Sequence, residues 1–259
     1  MSTQALNATS SSTTTAAATA PRLDLYAPIH KAMRHFMLDT LLRIGRLDVA
    51  DAGEMAADLA QLDALLTQCE QHLKHENEFM HTAIEARQPG GAERIAAEHG
   101  EHQEAIAALR EDLHQLRAAP AERRIALAQR VYRHLALFVA ENFEHMHYEE
   151  TVHNAALWAH YSDAELHVLH NRLVASLPPA EMLQVARWML PALSPVERAG
   201  MLQGMKAEAP LPAFMAVVEH VRPHLNDAAW AKLAPAIGLA QQPGLVHFSP
   251  SGRDRKSVV

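Results

Sequence analysis

Cysteine is almost missing from this chain. Cys69 stands alone among 259 residues, which excludes an intramolecular disulfide and suits a reducing compartment, so a cytoplasmic protein is expected. Long apolar runs are missing too: none approaches the roughly eighteen residues that a membrane span needs. Aromatic residues make up only 5% of the chain, while Ala, Leu, Glu and Gln abound, a balance that suits an all-α protein. The net charge of −7 comes without a dense Lys/Arg face, and even Arg123 and Arg124 form only a short basic cluster; nucleic acid is therefore not an expected partner. The first twenty residues carry no Lys or Arg and no apolar stretch. Residues 1–22 thus read as a disordered segment rather than a signal peptide.

Four long amphipathic patterns follow, over residues 24–45, 52–87, 91–118 and 121–160. The breaks between them are marked by Gly45, a cap at Asp51 to Glu54, a turn at Gln88-Pro89-Gly90-Gly91, and Ala119-Pro120. Steps of three and four define one stripe on each helix. The first holds Tyr26, His30, Met33, Met37, Leu41 and Ile44. The second holds Met55, Leu59, Leu62, Leu66, Cys69, His72, Glu76, Met80 and Ala83. On the third lie Ile95, His99, His102, Ile106, Leu109, Leu113 and Leu116, and on the fourth Val131, Leu135, Phe138, Asn142, His145, Glu149, Val152 and Ala156. Short connections make neighbours antiparallel, so residues 23–160 are expected to form an up-down-up-down four-helix bundle.

Seven residues on these stripes are of metal-ligating type: His30, His72, Glu76, His99, His102, His145 and Glu149. They occupy slots that otherwise hold Leu, Met, Ile or Val. In the expected bundle they also share one depth, since each lies about six to fifteen residues from the same pole, or ~9–22 Å at ~1.5 Å per residue. His-x-x-x-Glu occurs on both the second and the fourth helix, a spacing with which facing helices build dinuclear carboxylate sites. Seven ligands are too many for a closed structural zinc site of about four. Two six-coordinate ions offer about twelve positions; five imidazoles and two bridging carboxylates fill about nine, leaving room for a solvent bridge and an outside ligand. Imidazole and carboxylate without thiolate suit iron, manganese or zinc, and the count fits two bridged irons.

This order of residues resembles the hemerythrin-like (HHE cation-binding) domain over about 23–160. That family has a lone His on the first helix, His-x-x-x-Glu on the second, His on the third, and His followed by a carboxylate on the fourth. Two spacings depart from the oxygen-carrying members. His99 and His102 are three apart, with Gln103 where a second imidazole is expected, and His145 and Glu149 are four apart rather than five. The resemblance implies a non-heme di-iron protein that binds or senses a small oxidant such as O2, NO or peroxide. A di-iron peroxidase-type or iron-centre repair enzyme and a storage or structural metal site are the alternatives, with zinc or manganese as the other metals.

Elsewhere the residues read more plainly. Cys69 reads as a small buried hydrophobe, and His75, His81, His147 and His153, off the stripes or near the site's edge, read as solvated helix residues, with hydrogen bonding to the metal ligands as the alternative. Residues 161–240 divide into five short helices, with capping boxes at Ser162 to Glu165 and Ser194 to Glu197. They form either a small helical domain or a layer over the bundle, and Trp158, Trp188 and Trp230 read as core. Residues 241–259 read as an irregular tail with basic Arg253, Arg255 and Lys256.

Overall fold

Nine helices account for the architecture of residues 22–240, the span described by the computed structural model. The expectations for residues 1–21 and 241–259 lie outside the described residues. Helix α1 is Ala27–Gly45. Helix α2 covers 52–87 and is α-helical over Ala52–His75, π-helical over Glu76–His81 and α-helical again over Thr82–Arg87. Helix α3 is Glu93–Ala118. Helix α4 covers 121–160, with a π-helical turn Glu149–His153 between Ala121–Tyr148 and Asn154–His160. Five shorter helices follow: α5 Asp163–Ser176, α6 Pro179–Ala192, α7 Pro195–Glu208, α8 Leu211–Val221 and α9 Asp227–Ala236.

Local side-chain chemistry sets these boundaries. The Asp51 carboxylate accepts from the Gly53 and Glu54 amides at 2.8 and 2.9 Å, and both expected capping boxes, Ser162 with Glu165 and Ser194 with Glu197, are formed. Two starts fall later than the periodicity implies. Asp24 lies outside α1 as a cap, accepting from the Tyr26 and Ala27 amides. At α3, Glu85 reaches over from α2 to take the Gly90 and Ala92 amides at 2.7 and 2.8 Å. Gly90 stands at φ +81° in that turn, where a side chain would be strained.

α1 packs against α2 and α4, and α3 packs against the same two helices. Between them lies a core that includes Met33, Met37, Leu62, Leu66, Ile106, Leu113, Val131, Leu135 and Phe138. A second cluster of Tyr26, Phe79, Met80, Ile84, Leu157 and Leu166 covers one end, where α5 meets α2 and α4. The later helices have a core of their own around Leu190, Phe214, Val218, Trp230 and Leu233. They also form a layer on α1, because α6 lies along it and the Trp188 ring stacks on Phe36 at 4.0 Å and 11°. Among the described residues no helix is long and apolar enough to cross a membrane.

The three stripes on α1, α2 and α3 point inward as expected, but the one on α4 departs after Glu149. Val152 is 44% exposed, and His153 and Leu157 are buried instead. The cause is the π turn: it inserts one residue, and every later position moves round to the neighbouring face.

Candidate metal centre

Both π turns begin on a glutamate, Glu76 in α2 and Glu149 in α4. Glu149 belongs to three overlapping groups and Glu76 to two of them, and in each group one ligand atom per residue lies within 4.8 Å of the others. The first group is His30, His72, Glu76 and Glu149. The second is Glu76, His99, His145 and Glu149, and the third is His81, Glu149 and His153. Six of the seven residues singled out from the sequence are thereby brought together. His102 is buried beside the His145 ring at 4.7 Å but joins none of the groups.

His81 and His153 correct the expectation of solvated histidines, being only 6% and 1% exposed. Straight 3.6-residue counting leaves them off the stripes, and the π turns bring them in. A sequence signal existed: each His-x-x-x-Glu is followed by a further histidine four or five residues on.

Residues next to ligands on α2, α3 and α4 each hold an imidazole of another long helix. Asn77, next to Glu76 on α2, offers its amide oxygen to the Nδ1–H of His99 on α3 at 2.9 Å. Glu98, next to His99, accepts from Nδ1–H of His145 on α4 at 2.9 Å. Glu150, next to Glu149, accepts from Nδ1–H of His30 on α1 at 3.1 Å and is itself gripped by Arg34. Tyr26, just before α1, has its hydroxyl 3.3 Å from Nδ1 of His153 on α4. Such partners set the tautomer so that Nε2 faces the site. Tyr26 stands on the first sequence stripe as a core position, whereas Asn77, Glu98 and Glu150 lie off the stripes, although each adjoins a ligand-type residue.

The donor set fits a metal ion. His72 Nε2, Glu76 Oε2, both Glu149 oxygens, His81 Nε2 and His153 Nε2 are buried with no hydrogen-bond partner. Each unsatisfied buried group of this kind costs roughly 1–3 kcal/mol. Cations among them remove that cost, and these buried His/Glu groups can hold a metal ion.

Titration behaviour follows from the burial. Desolvation, with Glu76 close by, pushes the Glu149 carboxyl up to about 8, and Glu76 is raised well above the usual carboxylate range by desolvation. Desolvation also holds imidazoles neutral, lowering His81, His145 and His153 to about 4 and His99 to about 2. For His30, burial lowers the pKa, but the adjacent Glu149 and Glu150 carboxylates outweigh it and the net shift is upward. The thiol of Cys69, 2% exposed, is raised by desolvation, in keeping with a packing role.

Comparison with models of known families, with curated proteins and with solved structures gave no match.

Proposed function

We propose that this chain is a hemerythrin-like, cytoplasmic, non-heme di-iron protein that binds or senses a small oxidant such as O2, NO or peroxide. One observation carries the reading: Glu76 and Glu149 belong at once to the group with His30 and His72 and to the group with His99 and His145. Shared carboxylates between two pairs of imidazoles are what a bridged pair of ions requires, whereas a closed structural zinc site takes about four ligands around one ion. In this reading the four long helices form an up-down-up-down bundle, in which facing helices aim His and Glu at one layer. Imidazole and carboxylate without thiolate favour iron, and an iron pair supplies redox-active Lewis-acid chemistry toward a diatomic or peroxide ligand.

The chain's own residues then have distinct tasks. Glu76 and Glu149 would be shared between the two ions, and His30, His72, His99 and His145 would hold them. Glu150, Asn77 and Glu98 hold rings in the productive tautomer. Met33, Met37, Cys69 and Phe138 on the same inward faces are buried and keep bulk water out.

The test is metal content per chain together with the visible spectrum before and after admission of air or NO. About two irons with an absorption band that changes on exposure supports the reading. One zinc and a featureless spectrum overturns it in favour of a storage or structural site, and sustained turnover of peroxide with a reductant makes the protein an enzyme instead.

A further inference from the structure

Resting on the two-ion reading above, we infer that His81 and His153 complete the coordination of the ion held by His99 and His145. The ion held by His30 and His72 is then the one left open to an outside ligand.

Both imidazoles share the marks of the other ligand-type rings. They are buried, their Nε2 atoms have no hydrogen-bond partner, and each places a nitrogen within 4.8 Å of a Glu149 oxygen. Ring separations agree as well. His81 lies 4.8 Å from His99 and 5.5 Å from His153, against 4.9 Å for His99 with His145 and 5.3 Å for His30 with His72. His153 has its Nδ1 on the Tyr26 hydroxyl, the pattern by which His30, His99 and His145 are also held. His102, the residue the sequence offers instead, has its Nδ1 buried without a partner and stands outside every group.

Charge argues against a third ion at this position. Glu76 and Glu149 are the carboxylates in the groups, and the supporting Glu98 and Glu150 are already paired with Arg94 and Arg34. A third divalent ion in this buried space would lack compensation. Coordination number points the same way. His99, His145, Glu76 and Glu149 provide four ligands, and His81 and His153, which are grouped with Glu149 alone but of which His81 lies against the His99 ring, would fill an octahedral shell of about six. The other ion keeps four protein ligands and so has two free positions.

X-ray absorption on the iron-loaded wild-type chain tests this by counting imidazoles. His30, His72, His81, His99, His145 and His153 over two ions give three per iron on average, whereas without His81 and His153 the average is two. The variants His81→Gln and His153→Gln, singly and together, are expected to weaken binding of one ion at least tenfold, leave the other bound and leave the circular dichroism unchanged; His102→Gln is expected to change neither ion. Two irons with two imidazoles each, or variants that hold both ions as tightly as wild type, overturns this inference and leaves the di-iron reading standing. Three ions per chain also overturns it, and a wild-type chain that holds no metal overturns both readings. Should the variants fail to fold, the imidazole count on wild type still decides.

Discussion

His99 and His145 face each other Nε2 to Nε2 across 3.2 Å, with their Nδ1–H groups turned away to Asn77 and Glu98. Burial keeps both rings neutral near pH 7. Two lone pairs therefore oppose each other with no proton between them, an arrangement that only a cation relieves. Stripping metal with a chelator is expected to lower the melting temperature reversibly. A ligand present at a hundredfold excess over its Kd adds about 2.7 kcal/mol, or roughly 5–11 °C in a chain of this size. An unchanged melting curve after chelation and metal analysis would rule out this role for the pair.

Loading the site near pH 7 is expected to release at least one proton. Burial leaves Glu149 protonated there, with its pKa at about 8, and Glu76 is raised in the same sense. Both must ionise to bind a cation. The imidazoles at about 4 and below contribute none, whereas His30, raised above its ordinary value, adds a further share. Metal affinity should therefore rise with pH through about 8. The metal-free fold behaves oppositely: between the ordinary carboxylate value and about 8 it binds more protons than the unfolded chain, so Glu149 makes its stability fall as pH rises through that window. Calorimetry in buffers of different ionisation enthalpy counts the protons, and a count of zero would contradict the assignment.

Glu98→Gln is expected to reduce metal affinity about 10–100-fold, the usual effect of losing a carboxylate behind a ligating imidazole. The helix should survive, because Glu98 is partly exposed and its other partner, Arg94, lies one turn away on the same helix at 2.8 Å. A competition titration against a chelator of known affinity gives the change. Wild-type affinity would mean that the contact to His145 at 2.9 Å does not hold the ring for metal.

Much of this site is legible in the residues themselves. The stripe positions of His30, His72, Glu76, His99, His145 and Glu149 follow from ordinary helical periodicity, since each replaces an apolar residue on a face that is otherwise Leu, Met, Ile or Val. His81 and His153 were not legible that way, because a π turn is a tertiary outcome and no residue type demands it. Once Glu149 starts such a turn, the count that points to Val152 lands on His153. The Glu85 cap over Gly90 and Ala92 was hidden for a related reason: the acceptor comes from the preceding helix. Capping boxes such as Ser194 with Glu197 were legible because both partners lie within one turn.

Glu149→Gln keeps the shape and removes the charge of a residue that is wholly buried and shared by all three groups. It is expected to cost at least one metal equivalent per chain while helical content stays near wild type. In the metal-free state above pH 8 the variant should be the more stable of the two, because no buried carboxylate has to ionise. Metal analysis and thermal melts at pH 6 and 8.5 read both effects. Full retention of two ions would remove Glu149 from the bridging role.

Trp188→Ala separates the later helices from the metal centre experimentally. The Trp188 ring stacks on Phe36 at 4.0 Å between centroids and is only 7% exposed. It joins the core between the long helices although it belongs to α6. Truncating a buried Trp costs about 3–5 kcal/mol through lost contact area and the cavity left behind. The nearby His35 ring adds a polar tie through Nδ1–H to the Trp188 carbonyl at 3.2 Å, and this main-chain contact remains possible in the variant. Denaturant unfolding should therefore show a loss of several kcal/mol or an earlier transition for the later helices. Metal content should stay unchanged, because residues 163–236 contribute to none of the three His/Glu groups. If metal is lost along with stability, the layer on α1 is what holds His30 against Glu76 and Glu149. Its packing would then be part of the site.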